Sequence, residues 1–322
     1  MKRDAALSPG DAVLVVGGTG LIGRALAAAA LAAGLRPLLV ARHDPPAGVV
    51  APGARCLRAD RRELPALIDS GALLHEHERD HERALGVVDV LAEGADEAAP
   101  LLAALSTRRG RFVAIGSAAV FGQAARGLRH AESAAPQPGT DAMRRKVALE
   151  QLVAEEHRRA QAACVLRIAY PYGPGHGPLT PLGRARDLFE RLQGDGPIDW
   201  VAPGVFAPLQ PLAVADLARV IVALLTRQAP PPPLLHVAGP ETLDWDAYLQ
   251  RLTQGRALGG RLRLHDGDAL AAMQPQARWI VEYLRHAPLL DDGALQGLGL
   301  ACRTPLAQAV PAWAEWCLSG RP

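Results

Sequence analysis

VLVVGGTGLIG, residues Val13 to Gly23, decides the fold. It reads as a short apolar strand, a glycine turn and the first turn of a helix. Gly17, Gly20 and Gly23 stand in a G-x-x-G-x-x-G spacing, and Arg24 to Ala33 (RALAAAALAA) is dense in strong helix formers. A tight turn needs a residue without Cβ, a diphosphate needs close backbone approach, and a helix N-terminus offers N–H groups to an anion. A glycine triplet between a buried strand and a helix is the context that gives this motif meaning. Gly17, Thr19, Gly20, Leu21, Ile22 and Gly23 are therefore candidate contacts for a dinucleotide.

Working outward, Pro37 to Ala41 (PLLVA) reads as a second strand, followed by Arg42 and His43. Folds that bind NAD place an acid at this strand end to hold the ribose hydroxyls. A small residue followed by arginine removes that carboxylate and supplies a guanidinium for a 2′-phosphate, which points to NADP rather than NAD. The alternative for Arg42 is a solvated loop arginine in an arginine-rich chain. Ala54 to Ala59 is a third strand ending at Asp60, which either meets the adenine amino group or caps a helix over Glu63 to Ser70.

Further apolar runs follow at Val87 to Leu91, Arg111 to Ile115 and Ala163 to Ile168. They alternate with helices over Asp96 to Leu105 and Asp141 to His157. Such alternation predicts an α/β fold with a Rossmann-type, doubly wound parallel sheet, whose ligand lies at the carboxyl ends of the strands. Ser117 falls at such an end. After Gly175 the alternation stops. A helix is expected around Arg184 to Gln193, an amphipathic one over Leu212 to Thr226, and a strand at Leu234 to Ala238. Helices at Trp245 to Leu252, Asp268 to Met273 and Pro311 to Leu318 complete a smaller, mainly helical C-terminal substrate cap. The expected division is 11–175 for the dinucleotide-binding domain, completed by about 211–240, with 176–210 and 241–322 forming the cap.

Composition sets bounds. Of 322 residues, 49% are hydrophobic and 21% charged, ordinary for a globular enzyme-sized chain. A formal net charge of +2 and only 4% aromatics give no electrostatic or stacking case for nucleic acid or an anionic membrane. Cys56, Cys164, Cys302 and Cys317 are far apart and read as reduced thiols of a cytoplasmic protein. The first residues lack the apolar stretch of a secretory signal, and the longest apolar run is too short for a bilayer. Leu74 to Arg83 (LHEHERDHER) carries three histidines, but its spacing fits no standard metal site and its alternating charges suit a solvated surface. Nearly every basic residue is arginine; Lys2 and Lys146 are the two lysines, so a lysine in mid-chain stands out.

These residues resemble the extended short-chain dehydrogenase/reductase family, in its NAD(P)-dependent epimerase/dehydratase branch, from about residue 11 to 318. The resemblance rests on GGTGLIG, GSAAVFG at 116–122, Lys146-x-x-x-Glu150, LRIAYPYGPG at 166–175, PLAVADL at 211–217 and HVAGPE at 236–241, with a late LGL-x-x-RTPLAQAV-x-x-W. It implies a serine that hydrogen-bonds the substrate oxygen, a tyrosine that moves the proton, and a lysine that lowers the tyrosine pKa and holds the nicotinamide ribose. Hydride passes to or from the nicotinamide, which the protein positions. Carried onto this chain, Ser117 matches the serine and Lys146 the lysine. The resemblance also implies that the helices Asp96 to Leu105 and Asp141 to His157 can pair with their copies as a homodimeric four-helix bundle.

The tyrosine is missing. Its place lies four residues before Lys146 and twenty-five after Ser117, and both rulers fall on Ala142. Lys146 can still hold the ribose, but the proton must come from elsewhere or not move. Tyr170, just past a strand end, is the first substitute; Asp141 and His130 follow, and Tyr172 belongs to the YGP motif as a structural residue. The leading expectation is an NADP-dependent oxidoreductase that reduces a carbonyl or imine in a small organic substrate, with Ser117, Lys146 and Tyr170 at the site. An activated electrophile such as an iminium needs little acid help. The alternatives are a redox-neutral cyclase, isomerase or lyase on the same scaffold, and a non-catalytic NADP-binding protein.

Overall fold

A computed structural model describes residues 5–73, 84–122, 128–160 and 162–320. The histidine-rich stretch Leu74 to Arg83 lies outside the described residues, and so does any test of it. Seven strands form one parallel sheet: β1 (Ala12–Val16), β2 (Arg36–Ala41), β3 (Arg55–Arg58), β4 (Leu85–Asp89), β5 (Gly110–Ser117), β6 (Ala163–Ile168) and β7 (Leu234–Val237). Their spatial order is β7-β6-β5-β4-β1-β2-β3. Two windings therefore diverge from β1, and the point of divergence is the carboxyl end where the Gly17 turn begins.

Both faces of this sheet are buried, which is why its strands read as nearly unbroken apolar runs. Val13, Val15, Leu39, Val113 and Ile115 turn to one face, under α1 (Leu21–Ala32) and α6 (Val214–Thr226). Leu14, Val16, Val40, Phe112 and Ala114 turn to the other. That face is covered by α2 (Leu64–Asp69), α3 (Ala95–Leu105) and α4 (Asp141–Ala160). The period of two along each strand distributes the side chains between the layers. Between sheet and α4, Arg167 on β6 donates two hydrogen bonds to Glu150, at 2.8 and 2.7 Å, in a buried bidentate pair.

A third core belongs to the C-terminal part. It gathers Tyr172, Phe189, Trp200, Phe206, Trp245, Tyr248 and Trp313. Trp245 is its hub, with Trp200 at 5.6 Å, Phe206 at 5.2 Å and Tyr248 at 5.9 Å between ring centroids. Edge-to-face packing of this kind adds to the burial of large rings. The helices here are α5 (Leu188–Gln193), α7 (Trp245–Leu252), α8 (Gly267–Met273), α9 (Arg278–Arg285), α10 (Gly293–Gly297) and α11 (Leu306–Leu318). A parallel pair, Ile198–Val201 with Leu262–His265, stiffens the unit.

Several expected boundaries move. α1 begins at Leu21, so that Leu21 to Gly23 form its first turn as expected, and it ends at Ala32, one residue early. β5 runs on to Ser117 because β6 pairs with it to the end. The helix expected from Arg184 begins at Leu188, since Gly183–Arg184 pairs with Leu179–Thr180. α11 begins five residues before Pro311 and carries that proline inside it. α9 was not expected at all.

Candidate functional site

The glycine turn joins β1 to α1, and each glycine has a separate reason. Gly17 has φ +84°, the left-handed region that favours glycine. A side chain at Gly23 would put its first carbon 2.5 Å from Gly17 O and from Gly18. Gly23 therefore lets the helix close on the strand. Gly20 differs: a Cβ there would meet no protein atom nearer than Gly17 O at 3.5 Å. The protein does not use the room that Gly20 leaves. Gly20 is also the N-cap of α1, has no side-chain cap, and no acid occupies the first turn. Thr19 closes the turn by accepting from Arg24 Nε through its carbonyl at 2.9 Å. Leu91, 55% exposed after β4, stands over Gly17 as the opposite wall. An open glycine surface at an uncapped helix N-terminus is a cradle suited to a diphosphate, and Leu21 and Ile22 open the helix there.

Arg42 follows β2 and is exposed. Asp60 follows β3, and the structure makes it a helix cap: its carboxylate accepts from Arg62 N at 3.0 Å while Glu63 accepts from Asp60 N at 2.6 Å. The side chain of Arg62 also bonds Asp60 at 2.9 Å. These bonds, with the charge of Arg62 and then Arg42, hold the Asp60 carboxyl well below the usual range, at about 2. A ready anion at Asp60 is thus flanked by two guanidinium groups at the end of β2 and β3.

Ser117 ends β5 and caps the short turn Ala118–Phe121, its Oγ accepting from Ala119 N at 3.1 Å. The hydroxyl proton remains for donation outward. Lys146, on α4, reaches across the sheet edge. Its Nζ donates to Ala92 O at 2.6 Å, in the loop after β4, and to Ile115 O at 3.3 Å, near the carboxyl end of β5. Burial lowers its pKa, and the nearby Glu93, Asp89 and Glu97 charges oppose that shift. Asp89, wholly buried at the end of β4, pairs with Arg61 and accepts from Leu91 N and Ala92 N at 3.1 and 2.9 Å. It fixes the loop whose carbonyl Lys146 uses. Ala142 is exposed on the same helix.

Tyr170 lies two residues beyond β6, in the left-handed region at φ +34°. That conformation strains a residue with a side chain, at a cost on the order of 1–3 kcal/mol. Its ring packs on the apolar group Ala118, Val120, Phe121, Ala169, Ala238 and Leu290, beside Val147. Ala118 and Val147 are the chain neighbours of Ser117 and Lys146. The Tyr170 hydroxyl is buried, with no well-formed hydrogen bond and the Tyr283 phenol beside it. Burial raises its pKa well above that of an ordinary phenol, and the neighbouring Tyr283 on α9 adds to the rise. The two rings are 6.4 Å apart. No motif in the sequence marks Tyr283.

His130 and Asp141 stand differently. The His130 ring stacks on Phe121 at 4.2 Å and its Nε2 is buried without a partner. Asp141 is exposed and paired with Arg144 three residues on. Tyr172 is buried in the cap core against Trp313, at 5.1 Å. Among the described residues no group of His, Cys, Asp and Glu could hold a metal. All four cysteines are free, Cys56 exposed and the others buried. No described helix is long and apolar enough to cross a membrane.

With this geometry in view, the sequence profile of the NAD dependent epimerase/dehydratase family matches residues 13–238. The chain belongs to this family. The match covers the glycine turn, Ser117, Lys146 and β7. No sequence among curated proteins matches the chain. Solved structures of similar fold include UDP-glucose 4-epimerase from Thermotoga maritima with UDP-glucose, at 16% identity and a TM-score of 0.71, covering 96% of this chain and 99% of that one. The dTDP-glucose 4,6-dehydratase of Bacillus anthracis in complex with NAD superposes at 14% identity and 0.72, covering 97% of each chain. MoeE5 in complex with UDP-glucuronic acid and NAD superposes at 20% identity and 0.71, covering 97% of this chain and all of that one. At these identities the likeness establishes the Rossmann-type fold with its C-terminal cap.

Proposed function

We propose that the protein is an NADP-dependent oxidoreductase that reduces a carbonyl or imine carbon of a small organic substrate, with Tyr170 as the proton donor. The observation that carries this is Tyr170 itself. A buried phenol without a well-formed hydrogen bond and a strained backbone are two independent costs at one residue, and such costs concentrate at functional sites. Its raised pKa keeps the phenol protonated, so it can donate a proton to a developing anion but cannot act as a base.

The family's own cofactor class and the cradle at Gly20 support a bound dinucleotide. Gly17 to Gly23 would hold its diphosphate, Arg42 a 2′-phosphate and Lys146 the nicotinamide ribose. When bound and reduced, the nicotinamide supplies hydride. Ser117 donates its hydroxyl to the substrate oxygen or nitrogen and fixes its position. Tyr170 delivers the proton as negative charge gathers on that atom, so that hydride and proton together reduce the double bond. The preference for NADP rests on Arg42 of this chain; two of the neighbours named above were solved with NAD.

One observation favours a second reading. Ala142, one turn before Lys146, leaves the family position without a phenol, which suits redox-neutral chemistry or cofactor binding alone. Calorimetric titration with NADPH and NADH in parallel, followed by a screen of carbonyl and imine substrates, separates these. Tighter NADPH binding with substrate-dependent loss of nicotinamide absorbance, abolished in Tyr170→Phe, supports the reductase. Turnover without change in that absorbance supports the second reading.

A further inference from the structure

The loop that follows β6 packs on the first turn of α1, beside the glycine turn. Gly175 lies against α1: a side chain there would put its Cβ 3.3 Å from Leu21 Cα and 3.8 Å from Arg24 Cδ. Gly177, two residues on, packs more closely still on the backbone of Ala185 and Arg186, 2.4 Å from the Arg186 nitrogen by the same construction. Arg184 ties this loop down, donating to Gly177 O at 3.3 Å and Pro171 O at 2.7 Å. Two glycine contacts thus carry Arg186 to the side of α1 where Arg24 bonds Thr19 O. The Arg186 guanidinium lies 4.2 Å from the Trp316 ring centroid, a cation–π contact with α11. Arg24 responds to its presence: burial first, and the Arg186 charge second, hold the Arg24 guanidinium below its ordinary pKa. Two like charges held together beside an uncapped helix N-terminus favour an anion between them.

We propose that Arg186 is a cofactor-binding residue, which with Arg24 grips the diphosphate of a dinucleotide laid on the Gly17–Gly23 turn. The cap then holds the cofactor as well as the substrate. This rests on the dinucleotide-binding function proposed above.

The test is calorimetric titration of the full chain with NADPH, ADP-ribose and 2′-AMP, for the wild type, Arg186→Gln and Arg186→Lys. NADPH and ADP-ribose carry the diphosphate and 2′-AMP does not. The expected result is a loss of about tenfold in affinity for NADPH and ADP-ribose in Arg186→Gln, the size of one charge-assisted hydrogen bond. Binding of 2′-AMP stays unchanged, and Arg186→Lys recovers part of the loss. Arg186 is exposed, so both variants fold. Wild-type affinity for all three probes in Arg186→Gln overturns the role of Arg186 and leaves dinucleotide binding standing. An equal loss for 2′-AMP overturns the assignment to the diphosphate. A wild type that binds neither NADPH nor ADP-ribose overturns the cofactor function and this proposal with it.

Discussion

Ala142 and Lys146 sit one turn apart on α4, the first exposed, the second reaching the carbonyl of Ala92 at 2.6 Å. Residues four apart share a helix face, so a side chain at 142 faces the Lys146 ammonium. Burial raises the phenol pKa of all four native tyrosines; Tyr283 is pushed up to about 12, and Tyr170, Tyr172 and Tyr248 rise as well. Ala142→Tyr adds an exposed phenol beside a cation, which favours phenolate. Alkaline titration by tyrosinate absorbance should therefore show one new group ionising below the ordinary phenol value of about 10, before any native tyrosine. The substitution costs about 0.5 kcal/mol in helix propensity, so the fold persists. If the added phenol titrates at its ordinary value, Lys146 does not face position 142.

Gly20 and Gly23 should separate binding from folding. Gly23→Ala forces a carbon to within 2.5 Å of Gly17 O and Gly18, and overpacking of this kind costs about 1–3 kcal/mol. Gly20→Ser meets open space and places a better N-cap on α1. Thermal melts should show Gly23→Ala destabilised and Gly20→Ser at or above the wild type. NADPH titration should show Gly20→Ser weakened by tenfold or more, because its side chain occupies the cradle. Unchanged affinity in Gly20→Ser would remove the diphosphate from this surface.

The sheet was legible because its strands are apolar on both faces, and the period of the glycine turn places β1 and α1 without tertiary information. The reading that Ala142 stands at the family's tyrosine position has a similar basis: two independent spacings meet there. The partners of Tyr170 were not legible. Whether its hydroxyl is satisfied depends on Tyr283, which reaches it from α9, far along the chain. α9 itself is not legible because eight residues flanked by Pro275 and Pro288 give only Val281 and Leu284 as buried positions. The start of α11 was misplaced because Pro311 reads as a boundary. Here burial of Val310 and Trp313 outweighs the one backbone hydrogen bond that proline removes. For Asp60, the sequence left cap and ligand contact open, and Glu63 three residues on decides for a capping box.

The Glu150–Arg167 pair joins α4 to β6, and so joins the helix of Lys146 to the strand that delivers Tyr170. Both side chains are nearly inaccessible, at 9% and 3%. Removing one partner leaves an uncompensated charge in the interior, a loss of about 3–5 kcal/mol. Glu150→Ala should lower the urea midpoint accordingly. A double variant, Glu150→Leu with Arg167→Met, should recover much of the loss, since an apolar pair of similar volume carries no stranded charge. A double variant no more stable than Glu150→Ala would mean that the pair does more than satisfy itself.

His236 gives the protein a dependence on acid. Its Nδ1 lies 3.0 Å from Asp291 O and its Nε2 3.2 Å from Arg167 Nη1. The backbone carbonyl can only accept and the guanidinium can only donate, so the ring is held neutral with its proton on Nδ1. Burial first, with the Arg167 charge, lowers its pKa to about 4, against the opposing charge of Glu132. The unfolded chain takes up that proton at about 6.5. Between these values the unfolded state binds more protons than the native one, so stability is present above about 6.5 and lost as pH falls toward 4. Urea midpoints measured from neutral pH down to about 4 should fall in the wild type. In His236→Gln, whose amide can donate to Asp291 O and accept from Arg167, the midpoint starts lower but falls less steeply across the same window. Parallel slopes in the two proteins would assign the acid sensitivity to the carboxylates instead.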